Sequence, residues 1–160
     1  MRDPRTPEVW FRDRAALSFI GTRYLPWLAA LNLAWELAQL PLYTIWREQS
    51  AGYVAFAVAH CTAGDLLIGT ASLALALIAA RAGPLARWRW IRIALIATAA
   101  GAAYTLLSEW INTSVRRGWE YSALMPTFEL GGFVMGLSPL AQWLVVPPLA
   151  LYFARRSVSR

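Results

Sequence analysis

The stretch Tyr53–Ala80, YVAFAVAHCTAGDLLIGTASLALALIAA, decides the fold. Only His60 and Asp65 in it are strongly polar. A run of this length satisfies the ~17–25 residues needed to cross a ~30 Å hydrocarbon core. Lipid cannot pair free backbone N–H and C=O groups, so such a run crosses as a helix. A membrane β-strand would alternate polar and apolar residues over ~10 positions, and Leu73–Ala80 and Leu144–Leu151 do not alternate in that way.

Working outward, three more runs have the same character. Leu25–Trp46 is broken only by Asn32, Glu36, Gln39 and two prolines, while Ile93–Ser108 and Phe133–Ala154 carry no charge. Hydrophobic residues make up 58% of the 160-residue chain and charged residues 15%, against ~25% charged in soluble domains. The expected fold is therefore all-α, an integral membrane four-helix bundle spanning about 24–46, 52–80, 88–114 and 137–155. Segment 1–23 would precede this 24–155 domain as a cytoplasmic or interfacial piece, and 156–160 would follow as a tail. In the first segment Val9, Trp10, Phe11, Leu17, Phe19 and Ile20 would form the apolar side of a surface helix. The charges spread through these residues do not read as a cleavable signal.

Prolines punctuate the spans. Pro26 falls in a first turn, where proline is tolerated. Pro41 is expected to kink the first helix near its end. Gly83-Pro84 is a stop signal for the second. Ser138-Pro139 reads as an N-cap and first-turn proline, and Pro147-Pro148 as an interruption of the fourth span. Met125–Gly136 is expected to be a re-entrant or interfacial segment, the alternative being one bent helix from Phe128.

Orientation follows from the arginines, since the chain has no lysine. Twelve lie on one side: Arg2, Arg5, Arg12, Arg14, Arg23, Arg81, Arg87, Arg89, Arg92, Arg155, Arg156 and Arg160. Three lie on the other: Arg47, Arg116 and Arg117. The positive-inside rule then makes both termini and the second loop cytoplasmic. The net charge of +6 is a topology signal and a contact with anionic lipid, and nucleic acid is not expected as a partner. Trp27, Trp46, Trp88, Trp90, Trp110 and Trp119 fall at the predicted boundaries, as an aromatic belt would. The single Cys61 has no partner for an internal disulfide.

Ionisable groups inside a membrane cost roughly 2.5–3.5 kcal/mol each on insertion scales and mark functional sites. Four stand here: Glu36, His60, Asp65 and Glu109, all between mid-depth and the outer surface in this topology. Asn32, Glu36, Gln39 and Tyr43 repeat at helical spacing as one stripe. Thr105, Glu109 and Asn112 share a face of the third helix. Cys61, Thr62, Gly69 and Ser72 accompany Asp65 on the second. Gln142 lies in the outer half of the fourth, and Trp119, Glu120, Tyr121 and Glu129 come from the outer loop. The inner halves of the second and third helices are rich in Ala, Leu and Ile, which reads as packing.

For any one of these residues, interhelical hydrogen bonding alone competes as an explanation. Taken together, three carboxyls and an imidazole favour a site. Glu36, His60, Asp65 and Glu109 are the candidate catalytic groups, with Asn32, Gln39, Tyr43, Asn112, Trp119 and Gln142 as substrate contacts. A carboxyl out of water can serve as a proton donor near neutral pH, so acid/base chemistry on a lipid-like or isoprenoid molecule is the leading expectation. A single Zn, Fe or Mn ion on Glu36, His60 and Glu109 is a second, although no histidine-pair motif is present. A non-catalytic accessory subunit of a membrane complex is a third. No nucleophile elbow, phosphate loop or dinucleotide fingerprint is present.

The phrases Asn32-Leu-Ala-Trp-Glu36, Gln39-Leu-Pro-Leu-Tyr43, His60-Cys-Thr-Ala-Gly-Asp65, Ser108-Glu-Trp-Ile-Asn112, Trp119-Glu-Tyr-Ser122, Met125-Pro126 and Gly136-Leu-Ser-Pro-Leu-Ala-Gln-Trp143 resemble a group of small bacterial inner-membrane proteins with no assigned activity. The resemblance covers about residues 24–155. It implies the four-span layout and a bacterial inner-membrane location, and it supplies no chemistry. In layout alone the chain is similar to intramembrane isomerases and cyclases of sterols and carotenoids, with no motif matched residue by residue.

Overall fold

The computed structural model describes residues 9–116 and 119–156. The chain is mostly helical, in the order α1 (Arg14–Phe19), α2 (Leu25–Gln39), α3 (Ile45–Glu48), α4 (Ala51–Ala79), α5 (Trp90–Trp110), β1 (Thr127–Leu130), β2 (Phe133–Gly136) and α6 (Leu137–Arg156). Three helical stretches, Ala51–Ala79, Trp90–Thr113 and Leu137–Arg156, are long and apolar enough to cross a membrane. The regular part of α2 is shorter, at 15 residues.

The described part of the N-terminal segment runs on into the first long helix. Asp13 caps α1 by accepting from the Ala15 N–H, and a π-helical turn, Ile20–Tyr24, joins α1 to α2 without a break. Phe19 is buried edge-on against Trp88 and Trp90, with ring centroids 5.7 and 5.3 Å away. The backbone N–H of Trp10 donates to Ala82 O at 3.3 Å, and the Leu85 N–H donates to Asp13 Oδ2 at 2.8 Å. Phe19 thus finds apolar partners inside the protein, while Phe11 and Leu17 stay exposed. The expected residues before Val9 lie outside those described.

The first long helix ends at Gln39 instead of running to Trp46. Pro41 has no N–H to give, and its ring crowds the carbonyl of residue i−4. The chain answers with a tight turn, Leu40–Leu42, and extended backbone at Tyr43 before the short α3. α4 matches its expected span. Ser50 Oγ caps it by accepting from the Tyr53 N–H. At its other end the Arg81 N–H donates to Ile78 O and the Ala82 N–H to Leu77 O, a Schellman closure that sets Arg81 at φ +50°.

The segment before α6 is not helical. β1 and β2 form an antiparallel hairpin with Thr127 opposite Gly136 and Leu130 opposite Phe133. Gly131 and Gly132 turn it with φ +57° and +84°, the left-handed pair that a two-residue hairpin loop requires. The fold is therefore helical with one small sheet, and the bent helix from Phe128 does not form. α6 in turn is unbroken: it runs through Pro147-Pro148. These prolines donate nothing to the carbonyls of Trp143 and Leu144, but Pro147 is among the most deeply buried side chains, so packing holds the helix on course.

α2 packs on α4 and α6, α4 on α5, and α5 on α6. The apolar core gathers at the end bearing the α4–α5 turn, around Tyr24, Leu28, Leu73, Leu77, Ile93, Ala97, Val146 and Ala150. Close approach there relies on small residues: Gly69 meets Leu28, and Gly101 meets the Trp143 ring. Outward faces carry exposed Phe56, Leu67, Ile78, Ile91 and Leu95, the side chains a lipid-facing helix presents.

Candidate functional site

At the opposite end from the apolar core, the same helices part around a cavity of about 570 Å³. That is within the range of small-molecule sites. Asn32, Glu36 and Gln39 are buried on one face of α2 while Leu33 and Leu37 on the other are exposed. Spacings of four and three return a helix to nearly the same side, which is why the stripe points inward. Tyr43 lies beyond the helix end and reaches the cavity by another route. Its extended backbone bridges Tyr121, and the two rings sit 5.7 Å apart.

Gln142 of α6 is the hub of the polar floor. Its Nε2 donates to Asn32 Oδ1 at 2.9 Å and to Asp65 Oδ2 at 2.8 Å, linking α6 to α2 and α4. Asp65 and Glu36 adjoin each other on the cavity floor. Two carboxyls that adjoin in this way can share one proton. Gln39 Nε2 donates to Glu36 Oε1 at 2.8 Å, and Ser138 Oγ donates to Gln39 Oε1 at 2.9 Å. Asn32, Gln142 and Asp65 are thus bonded across three helices, and Glu36, Gln39 and Ser138 form a second bonded string beside them.

A second group stands on α5 and the following loop. Glu109 Oε2 accepts a hydrogen bond from the Tyr121 hydroxyl. Burial, and then the Glu109 carboxylate beside it, push the Tyr121 phenol above its ordinary value of 10.0, so it remains a donor. Trp119 Nε1 is buried near the same carboxylate but completes no hydrogen bond. Asn112 Nδ2 donates to Ser108 O at 2.8 Å. Thr105, 7% exposed, faces the cavity one turn before Glu109.

Nine of the ten side chains singled out from the sequence line this cavity; Asn32 lies behind Gln142. Their proximity does not make them equivalent. His60 is exposed at the rim and stacks on Phe56, with centroids 5.7 Å apart and planes at 20°. Five positions from Asp65, it is rotated about 140° around α4, so it cannot share the inward face. Among the described residues no three His, Cys, Asp or Glu side chains are placed to hold a metal ion, and the set Glu36, His60 and Glu109 is not such a group. Arg116 lines the mouth; Glu109 is engaged by Tyr121 instead. Arg117 lies outside the described residues. Glu120 and Glu129 are exposed.

Sequence reasoning passed over Ser138 as anything but a helix cap, gave Tyr121 no role, and did not mark Trp143, which walls the cavity. The phenol of Tyr121 stood beside Trp119 in the sequence, but only the loop's path brings it to Glu109. The arrangement supports two kinds of chemistry: proton exchange at the Glu36–Asp65 pair, and binding of a molecule with a polar end and an apolar body. Comparison with family models, with curated proteins and with solved structures finds no match.

Proposed function

We propose that this chain is a plasma-membrane protein of bacterial type that binds a lipid-like or isoprenoid molecule in the cavity between its helices. The carrying observation is a cavity of about 570 Å³ with a carboxyl–amide floor and an aromatic and aliphatic wall. A polar end would rest on Glu36, Asp65 and Glu109, and an apolar body on Phe56, Ile68 and Trp143. α2, α4, α5 and α6 are then four membrane spans forming a bundle. The arginine bias puts the termini and the α4–α5 turn in the cytoplasm, and the cavity and the β-hairpin toward the outer leaflet. A proton shared by Glu36 and Asp65 is the group that acid/base chemistry on the bound molecule would use.

Solvent extraction of the purified protein followed by mass spectrometry tests the binding. An amphiphile should co-purify with the wild type and be depleted in Ala57→Trp, which fills the cavity. Identical extracts from both would overturn the reading. Orientation is tested in a Cys61→Ser background with a membrane-impermeant maleimide on intact cells. Gly132→Cys should label and Ala86→Cys should not; the reverse pattern would invert the topology.

A further inference from the structure

The hydrogen bonding around the cavity's three carboxyls is lopsided. The side-chain amide donors that line the cavity are already committed. Gln142 Nε2 is taken by Asn32 and Asp65, Gln39 Nε2 by Glu36, Asn112 Nδ2 by Ser108, and the Tyr121 hydroxyl by Glu109. On the three carboxyls, what remains is acceptor capacity. A carboxylate has about four lone-pair sites on its two oxygens, and the committed donors fill one oxygen each on Glu36, Asp65 and Glu109. The charge is equally one-sided. Three carboxyls line the cavity, and among the described lining residues Arg116 at the mouth is the one arginine.

Two further observations point to a ligand. Thr105 is 7% exposed, lines the cavity, and has no hydrogen-bond partner for its hydroxyl among the described residues, a buried polar group of the kind that is normally satisfied. The wall facing the carboxyls is aromatic, with Tyr43, Trp119 and Trp143 around the polar floor and Phe56 at the rim. A cation held over aromatic faces beside carboxylates is favoured, and more so where water is excluded.

We infer that the molecule bound here carries a cationic, donor-rich headgroup, a protonated amine on an apolar chain, rather than a phosphate or a neutral alcohol. The ammonium would donate to the Glu109 and Asp65 carboxylates and the Thr105 hydroxyl, with the aromatic rings around it. The apolar chain would leave past Phe56 toward the lipid. This deepens the proposed lipid-like binding and rests on it.

The test uses the full chain in phosphatidylcholine nanodiscs near neutral pH, titrated with dodecylamine, dodecyl phosphate or dodecanol while tryptophan fluorescence is followed. Dodecylamine should saturate and bind about ten-fold or more tightly than the other two. Glu109→Gln should weaken it by a similar factor. Arg116→Gln, at an exposed position, should strengthen it several-fold by removing an opposing charge at the mouth. Equal binding of all three probes, or tighter binding of the phosphate, would overturn the cationic headgroup and leave the lipid-like reading standing. No saturable binding by any probe would overturn both. If Glu109→Gln fails to fold, Arg116→Gln alone decides: an unchanged or weakened dodecylamine affinity refutes the inference.

Discussion

Gln142 Nε2 lies 2.8 Å from Asp65 Oδ2, so an amide on the last helix is fixed by a carboxyl on the second long one. The same nitrogen reaches Asn32 on α2. One side chain therefore ties three helices at the depth of the cavity. Gln142→Leu keeps much of the volume and removes both bonds, leaving two buried acceptors unpaired. The expected loss is about 1–3 kcal/mol, read from reversible unfolding in mixed micelles. An unchanged unfolding midpoint would mean the network does not hold the helices together.

Gly101 supports that geometry from below. A Cβ there would stand 2.0 Å from Trp143 Cε3 and 2.7 Å from Cδ2 and Cζ3. A fixed indole cannot yield that distance, so Gly101→Ala must push α5 away from α6. Overpacking of this kind costs about 1–3 kcal/mol, and Trp143→Leu in the same background should recover part of it. Unfolding of Gly101→Ala at the wild-type midpoint would refute the α5–α6 packing.

The helices were legible because span length is a local property: α4 follows from its apolar run, its Ser50 cap and its Gly83-Pro84 stop. Angular position was legible where spacing was read carefully, as in Asn32, Glu36 and Gln39. His60, five positions from Asp65, stands at the rim of the same cavity. The hairpin carried its own signal in Gly131-Gly132, two glycines between short β-prone runs. It was outweighed by the apolar composition that runs into the following helix. Pro147-Pro148 looked like a break because local rules cannot see the burial of Pro147 inside a continuous α6. Tyr121 meeting Glu109 depends on the path of a loop, which spacing along one helix does not encode.

Arg81 carries a local cost that a substitution can relieve. Its φ of +50° closes the end of α4 in a conformation that glycine adopts freely and L side chains do not. Arg81→Gly should raise stability by about 0.5–1 kcal/mol, seen as a higher midpoint of thermal unfolding. The remaining arginines at that end keep the charge bias, so orientation should not change. A lower midpoint would mean the Arg81 side chain contributes more than its backbone costs.

Asp13 makes the docking of the N-terminal segment sensitive to acid. Its carboxyl is held below the ordinary 3.8, chiefly because the Leu85 N–H donates to the ionised form, with partial opposition from desolvation and smaller help from the Ala15 and Ala16 N–H groups. A group whose folded value is depressed stabilises the folded state above its unfolded value and loses that contribution as pH falls through the folded one. The tether between Asp13 and the α4–α5 turn should therefore be fully present at neutral pH and weaken only below pH 3.8. Hydrogen exchange at the Leu85 amide, compared between wild type and Asp13→Ala, reads this directly. The wild type should be the better protected at neutral pH, and the two should converge in acid. Asp13→Asn keeps an acceptor without a titrating proton, so its protection should not show that transition. If the wild-type advantage survived well below the folded value, the ionised carboxylate would not be what holds the segment down.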